Sequence, residues 1–177
     1  MRFIMRREAT IIGNLLFFLQ KMATEIEHKY LVTDYSYQSM ATESHEIVQG
    51  YISRESGRTV RVRTVDNTAF LTIKGACKGM SRPEFEYNIP IDDARQLLKL
   101  CPGPVITKTR SIVIYEGERW EIDTFHGQLE GLVTAELEVP NENHTFNLPP
   151  FVGREVTGDH RFANSQLTTY DALKPAL

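Results

Sequence analysis

Three shortages in this sequence each remove a class of function. There is no basic excess: Lys and Arg total 20 against 23 Asp and Glu, giving a formal charge of -3 and a pI near 6.0. Nothing global would therefore hold a nucleic-acid backbone or an anionic membrane, and any anion site must be local. Cysteine is nearly absent. Cys77 and Cys101 fit no metal-ligand spacing and make no disulfide scaffold, so a reducing cytoplasm is the simplest compartment. Long apolar runs are missing too. The stretch from Ile11 to Leu19 falls well short of the roughly 20 apolar residues a membrane helix needs, and Gly13 and Asn14 interrupt it. Basic residues precede that stretch, but no clear small-x-small cleavage site follows it. Residues 1–21 read as an extension ahead of a start at Met22, with the character of a loosely attached amphipathic helix. Residues 22–177 read as one domain, large enough to bury a core.

What is present from Glu25 onward is a series of short alternating runs rich in Val, Ile, Thr, Phe and Tyr, separated by turn residues. The pattern predicts strands over 25–32, 47–53, 59–64, 69–74, 82–89, 105–115, 119–125 and 133–139. The connectors SRESG, VDN, KGACKGM and EGE carry Gly, Asn, Asp or Ser where hairpins want them, so antiparallel neighbours are expected. Two helices are predicted. One spans 91–100, begun by Asp92 or Asp93; the other starts near Asp159, whose carboxylate can accept from the free amides of a first turn. The fold class expected is α+β, mainly β.

Residues two apart in a strand share a face, and the charged stripes of this chain are segregated by sign. Arg61 stands with Arg63 and Lys108 with Arg110, whereas Glu121 stands with Asp123 and Glu136 with Glu138. Glu25, Glu27 and Lys29 make a mixed stripe, as do Arg82, Glu84 and Glu86, and Lys74 shares a face with Thr72. A merely wet face ordinarily mixes signs so that opposite charges meet across strands. Segregation in a near-neutral chain predicts an outside neutraliser, and a polyanion with a divalent cation would serve both signs. If the sheet closes, the charged stripes line its interior, while Ile26, Val60, Val62, Ile73, Ile122, Leu137 and Val139 pack outward.

The run EIEHKYLV at 25–32 resembles the ExExK signature that opens the CYTH family, the triphosphate tunnel metalloenzymes. Further ordered similarities are QGY at 49–51, TVRVRT at 59–64, FLTIKG at 70–75, SRPEFEY at 81–87, ITKTR at 106–110, WEIDTFHGQLEGL at 120–132, AELE at 135–138 and EVTGDHRFAN at 155–164. Together they cover nearly everything after Met22. The resemblance implies a closed antiparallel β-barrel, a tunnel of about eight strands, with flanking helices and a C-terminal plug helix. It implies hydrolysis of triphosphate-containing small molecules with Mg2+ or Mn2+. By position it assigns Glu25, Glu27, Glu136 and Glu138 to the metal, with Asp123 as a further acid. Such hard oxygen donors, without Cys or clustered His, suit Mg2+ or Mn2+. Arg61, Arg63, Lys74, Lys108 and Arg110 match the family's phosphate-binding residues, with Arg82 and a lumen-facing Arg161 as additions. Lys29 and Tyr51 match a dyad that activates water. A lysine titrates near pH 10.4, so serving as a base would require basic neighbours or burial to lower that value.

Inorganic triphosphate is the substrate expected, because QGY supplies the dyad and no nucleoside-recognition element is apparent. Class IV adenylate cyclases and thiamine triphosphatases share the scaffold. Either needs a surface for its organic group, and the single tryptophan, Trp120, points outward if Glu121 and Asp123 point in. A non-catalytic polyphosphate or nucleotide sensor is a different class of reading, and an RNA-triphosphatase-like activity sits poorly with the acidic pI. A homodimer through the barrel walls is compatible with the resemblance.

Overall fold

The structure, a computed structural model, describes residues 26–55, 57–76, 83–167 and 173. The expected N-terminal extension, Glu25 and Arg82 lie outside the described residues. Eleven main elements follow in order: β1 (Ile26–Val32), α1 (Tyr37–Met40), β2 (Ala41–Ser53), β3 (Thr59–Val65), β4 (Thr68–Lys74), β5 (Glu84–Asn88), α2 (Ile91–Lys99), β6 (Ile106–Tyr115), β7 (Glu118–Phe125), β8 (Val133–Val139) and β9 (Val152–Glu155). The strands form one antiparallel sheet in the order β5-β4-β3-β2-β6-β7-β8-β1-β9.

Local chemistry sets the hairpins. At the β6–β7 turn Glu116 and Gly117 both have positive φ, 50° and 90°, the twist a two-residue hairpin requires. Asp66 also takes a positive φ, 49°. Its carboxylate steadies that turn by accepting from the Glu46 amide at 2.9 Å and from His45 Nδ1 at 2.8 Å.

Register sorts the side chains into two faces. On one face of β1, β7 and β8 lie Tyr30, Trp120, Ile122, Ala135, Leu137 and Val139, packed with Val113, Tyr37 and Phe151. Trp120 belongs to this packed face, as its alternation with Glu121 and Asp123 implies. On the same side of the other wing, α2 lays Ala94, Leu97 and Leu98 over Val62, Ala69 and Leu71. The opposite face carries the charged stripes, aligned across neighbouring strands: Glu27 with Glu138, Lys29 with Glu136, Arg110 with Asp123 and Arg61 with Thr72.

Several expectations need correction. The sheet has nine strands and is not closed: β5 and β9 are its two ends, and no ladder joins them among the described residues. These ends have little to pair with, because β5 is five residues long and β9 four, and β9 meets β1 through an irregular register. The sheet nevertheless curls. Three strands separate β2 from β1, which in a flat sheet would set them roughly 19 Å apart. Yet the Lys29 ammonium on β1 lies close enough to the Tyr51 phenol on β2 to favour its ionisation. The charged face is therefore the concave one.

The expected C-terminal helix is replaced, within the described residues, by a single 3-10 turn, His160–Phe162, which Asp159 does cap by accepting from the Arg161 amide. Asn164 and Ser165 compete for backbone hydrogen bonds and support continuation of the turn poorly; residues 168–172 lie outside the described residues. Phe162 of this turn, with Leu167 and Leu173 beyond it, packs against Ile106, Phe125, Leu129, Leu132 and Val156 at one end of the concave face. β2 begins at Ala41, six residues before the expected Ile47, because backbone pairing with β6 carries its polar first half. β9 and α1 were not foreseen; both are four residues long, too short to show a period. No helix of the described residues is long and apolar enough to cross a membrane.

Gly50 on β2 lets the end of α2 approach the sheet. A β-carbon there would lie 2.6 Å from Cys101 Sγ and 3.2 Å from Leu98 Cδ2. Gly50→Ala should cost about 1–3 kcal/mol by overpacking, seen as a lower urea midpoint at unchanged slope. Adding Cys101→Ala should recover part of the loss, and an unchanged midpoint in the single variant would refute the close fit.

Candidate active site

The concave face has a basic wall and a mixed wall. β3 and β4 supply Arg61, Arg63 and Lys74; β6, β7, β8 and β1 supply Lys108, Arg110, Glu121, Asp123, Glu136, Glu138, Glu27 and Lys29. The signs neutralise one another more than the stripe argument foresaw, because the basic strand β6 pairs directly with the acidic strand β7. Asp123 is fully buried and shared by two cations. Its Oδ2 accepts from Lys108 Nζ and lies 2.7 Å from Arg110 Nη2, while Oδ1 accepts from Arg110 Nε at 2.7 Å. Arg110 also reaches Glu136 at 3.0 Å and Glu121.

Titration follows from this arrangement. Burial opposes the charge on Asp123, but Lys108 and Arg110 outweigh it and hold the carboxyl well below its usual range. For Lys108 burial dominates and the charge of Arg110 adds to it, so the amine is pushed down to about 8 despite Asp123. Both oxygens of Asp123 are thus taken by protein cations, which places it as an anchor of the wall more than as a free ligand.

Lys29 is buried beside two acids, with Glu136 Oε1 at 2.6 Å and Glu27 Oε1 at 3.9 Å, and it donates to the Phe162 carbonyl at 3.3 Å. Burial favours its neutral form, but Glu136 and Glu27 reverse the balance and raise its pKa. The lowering that service as a base would require is therefore not found: Lys29 is buried, but its immediate neighbours are acidic and outweigh the burial. Burial raises the Tyr51 phenol, while Arg61, Arg54 and Lys29 pull the other way.

The basic wall has capacity left over. Glu86 Oε2 accepts from Thr72 Oγ1 at 2.7 Å and Arg63 Nη2 at 3.2 Å, with Arg61 Nη2 at 3.5 Å, and Glu84 meets Lys74 at 2.8 Å. The Nε–H groups of both Arg61 and Arg63 are nevertheless buried without a partner. Burial, followed by the adjacent Arg61 charge, brings Arg63 down to about 10. Unfilled N–H donors on two crowded guanidiniums favour an incoming anion, and an arginine grips phosphate through parallel hydrogen bonds.

Metal fit rests on the acidic side. Glu27 and Glu136 converge on one point, now held by the Lys29 ammonium, a positive charge standing where a cation would be attracted. Glu136 Oε1 is buried and, beyond that ion pair, accepts no well-directed hydrogen bond. Among the described residues no three His, Cys, Asp or Glu side chains are yet grouped to hold an ion. The all-carboxylate donors fit a hard divalent cation in kind.

The fold thus brings Glu27, Lys29, Tyr51, Arg61, Arg63, Lys74, Lys108, Arg110, Asp123, Glu136 and Glu138 onto one face. It does not bring Arg161, which sits on the 3-10 turn, is exposed and is bound to Asp159 at 2.6 Å, so that its charge is met outside the concave face. Glu84, Glu86 and Thr72 were visible as stripe members and given no role. Arg54, over the Tyr51 ring, had no signal at all, since it sits in a turn segment without periodicity.

A family model described as the CYTH domain matches residues 23–169. The chain is 46% identical over 147 residues to a protein of Acetivibrio thermocellus named inorganic triphosphatase, covering 82% of this chain and 94% of that one. It is 33% identical over 150 residues to a Nitrosomonas europaea protein of the same name, covering 81% and 96%. The crystal structure of an inorganic triphosphatase aligns with TM-score 0.63 at 30% identity, covering 83% of this chain and 95% of that one.

Asp123→Asn should destabilise the fold by about 3–5 kcal/mol, because it strips the shared counter-charge from Lys108 and Arg110. A depressed carboxyl contributes its stability above its unfolded pKa, near 4, and loses it as pH falls through the lower folded value. The parent should therefore weaken steeply below about pH 4, and the variant much less so. Equal acid sensitivity of the two in urea titrations would argue against this role.

Proposed function

This chain belongs to the CYTH family, and from that premise we propose that it hydrolyses inorganic triphosphate to pyrophosphate and phosphate on the concave face of its sheet. The observation that carries the reading is the pair of buried, unpartnered Nε–H groups on Arg61 and Arg63. A triphosphate supplies several anionic oxygens along one line, matching a wall of Arg61, Arg63 and Lys74 faced by Lys108 and Arg110 on β6. Relatives named for this activity support the substrate.

The divalent cation we propose is Mg2+ or Mn2+, held by Glu27, Glu136 and Glu138 with Glu25 as a further acid, while Asp123, whose oxygens are taken by Lys108 and Arg110, anchors the wall beside them; when bound the cation would offset the charge on the phosphate chain. The remaining work falls to the side chains. Arg61, Arg63 and Lys74 hold the phosphate chain and orient its terminal group for in-line attack. Lys108 and Arg110, fixed by Asp123, present positive charge to the developing leaving group without needing to reorganise. Lys29 and Tyr51 form the pair that places the attacking water. With Glu136 and Glu27 beside it Lys29 is an ammonium at neutral pH, so it acts first as a donor. We assign Arg82 to the phosphate site as well and leave out Arg161, which Asp159 holds at the surface. The domain we propose is 22–177, with 1–21 outside the catalytic fold, working in the cytoplasm on a small-molecule substrate.

Trp120, wholly buried on the opposite face, offers no stacking surface for an adenine or thiamine group. Phosphate release measured side by side from tripolyphosphate, ATP and thiamine triphosphate, with Mg2+, Mn2+ or chelator, tests the proposal. Tripolyphosphate should be preferred and chelator should abolish turnover. Loss of ATP without phosphate would indicate a cyclase, and binding without turnover a sensor. Arg63→Ala should lower kcat/KM about 10- to 100-fold, the loss of one or two charge-assisted hydrogen bonds.

A further inference from the structure

Arg54 differs from the other cations near the site. Arg61 and Arg63 share Glu86, and Arg110 and Lys108 share Asp123. No carboxylate pairs with Arg54 among the described residues. Its Cζ stands 5.0 Å from the centroid of the Tyr51 ring. Its hydrogen bonding is sparse: Nη2 donates to the Pro104 carbonyl at 3.5 Å, and Nε is buried without a partner.

The guanidinium is held mainly by its faces. A β-carbon at Gly103 would lie 3.2 Å from Arg54 Nη2 and 3.3 Å from both Cζ and Nη1. Near-equal distances to three atoms of a planar group put that position over the plane, so the missing side chain of Gly103 lets the guanidinium lie flat on the backbone. It packs there on Gly103 and against the Tyr51 ring. A cation on an aromatic face is attracted more strongly when water is excluded, and Tyr51 is buried. Arginine suits this place because its flat, weakly hydrated group stacks where an ammonium would not.

We propose that Arg54 is a positioning residue for Tyr51, its guanidinium clamped between the Gly103–Pro104 backbone and the phenol ring so that the hydroxyl is fixed toward Lys29 and the attacking water. The inference rests on the reading of Lys29 and Tyr51 as the water-placing pair. Its charge, with those of Arg61 and Lys29, also offsets the burial that resists ionisation of the phenol. Arg54 need not touch the phosphates, and its effect should pass through Tyr51.

The test compares steady-state tripolyphosphate hydrolysis by the full chain, Arg54→Ala, Tyr51→Phe and the double variant, with melting temperatures alongside. Arg54→Ala should lower kcat about tenfold and leave KM within about twofold. In the Tyr51→Phe background the same change should cost almost nothing further, the non-additivity expected of residues that act together. Gly103→Ala, which crowds the guanidinium without removing it, should give a smaller loss of the same kind. Ultraviolet difference titration should show the Tyr51 phenol, identified by its absence in Tyr51→Phe, moving to higher pH in Arg54→Ala. A raised KM at unchanged kcat would overturn the proposal in favour of phosphate binding by Arg54. Equal losses in both backgrounds, or a phenol titration unmoved by Arg54→Ala, would also overturn it. If the parent itself turns over no triphosphate with either metal, the triphosphatase reading fails, and the phenol titration still decides whether Arg54 acts on Tyr51.

Discussion

The concave face depends on one buried carboxylate. Asp123 has no solvent to ionise into, yet it stays charged because Lys108 and Arg110 close on it from the neighbouring strand. Removing two cations and an anion from water is expensive, and it is tolerable only where their hydrogen bonds are nearly all met. That constraint fixes the β6–β7 register and the reach of Arg110 toward Glu121 and Glu136. Through Glu136 it extends to Lys29 on β1. One shared anion thus links four strands of the wall on which substrate must be bound.

The other wall is less settled. Arg61 and Arg63 share the single carboxylate of Glu86 and Lys74 meets Glu84, both on the short end strand β5, and the Nε–H groups of the two arginines have no partner among the described residues. A wall of satisfied charges facing one of unsatisfied donors is a sensible division for an anion site. The first gives rigidity, and the second supplies affinity that only an incoming polyanion can draw on. The division also accounts for where the apolar residues went. With one face of the sheet given to charge, the core lies on the outer face, under α2 on one wing and around Trp120 on the other. At the end where Phe162 and Leu167 pack, an apolar cluster also reaches the concave side.

Much of this was legible from residue type and period two. Strand positions, the inward set from Glu27 to Glu138, the outward turn of Trp120 and the cap at Asp159 all follow from alternation and turn chemistry, which are local. What failed was non-local or too short to carry a period. The polar half of β2 looks like a loop until β6 is beside it, and β9 is four residues with a glycine. Arg161 seemed to belong to a helix because Asp159 caps a turn, but a cap begins a helix only if the following residues sustain one. The charge argument erred in an instructive way: segregation by strand says nothing about which strands become neighbours, so it could not show that the basic β6 and acidic β7 neutralise each other.

By itself, then, the sequence determined which residues share a face, because side-chain direction in a strand depends only on position along it. It also determined the sign of each stripe and, through many ordered motifs, the family. The tertiary structure decided which stripes meet, since strand order and curvature arise from contacts between residues distant in the chain. The acidic surroundings of Lys29, the sharing of Asp123, the open donors of Arg61 and Arg63 and the packing of Arg54 on Tyr51 all depend on groups brought within a few ångströms from different strands. Electrostatic and hydrogen-bond energies fall steeply with that distance, and no spacing along the chain encodes it.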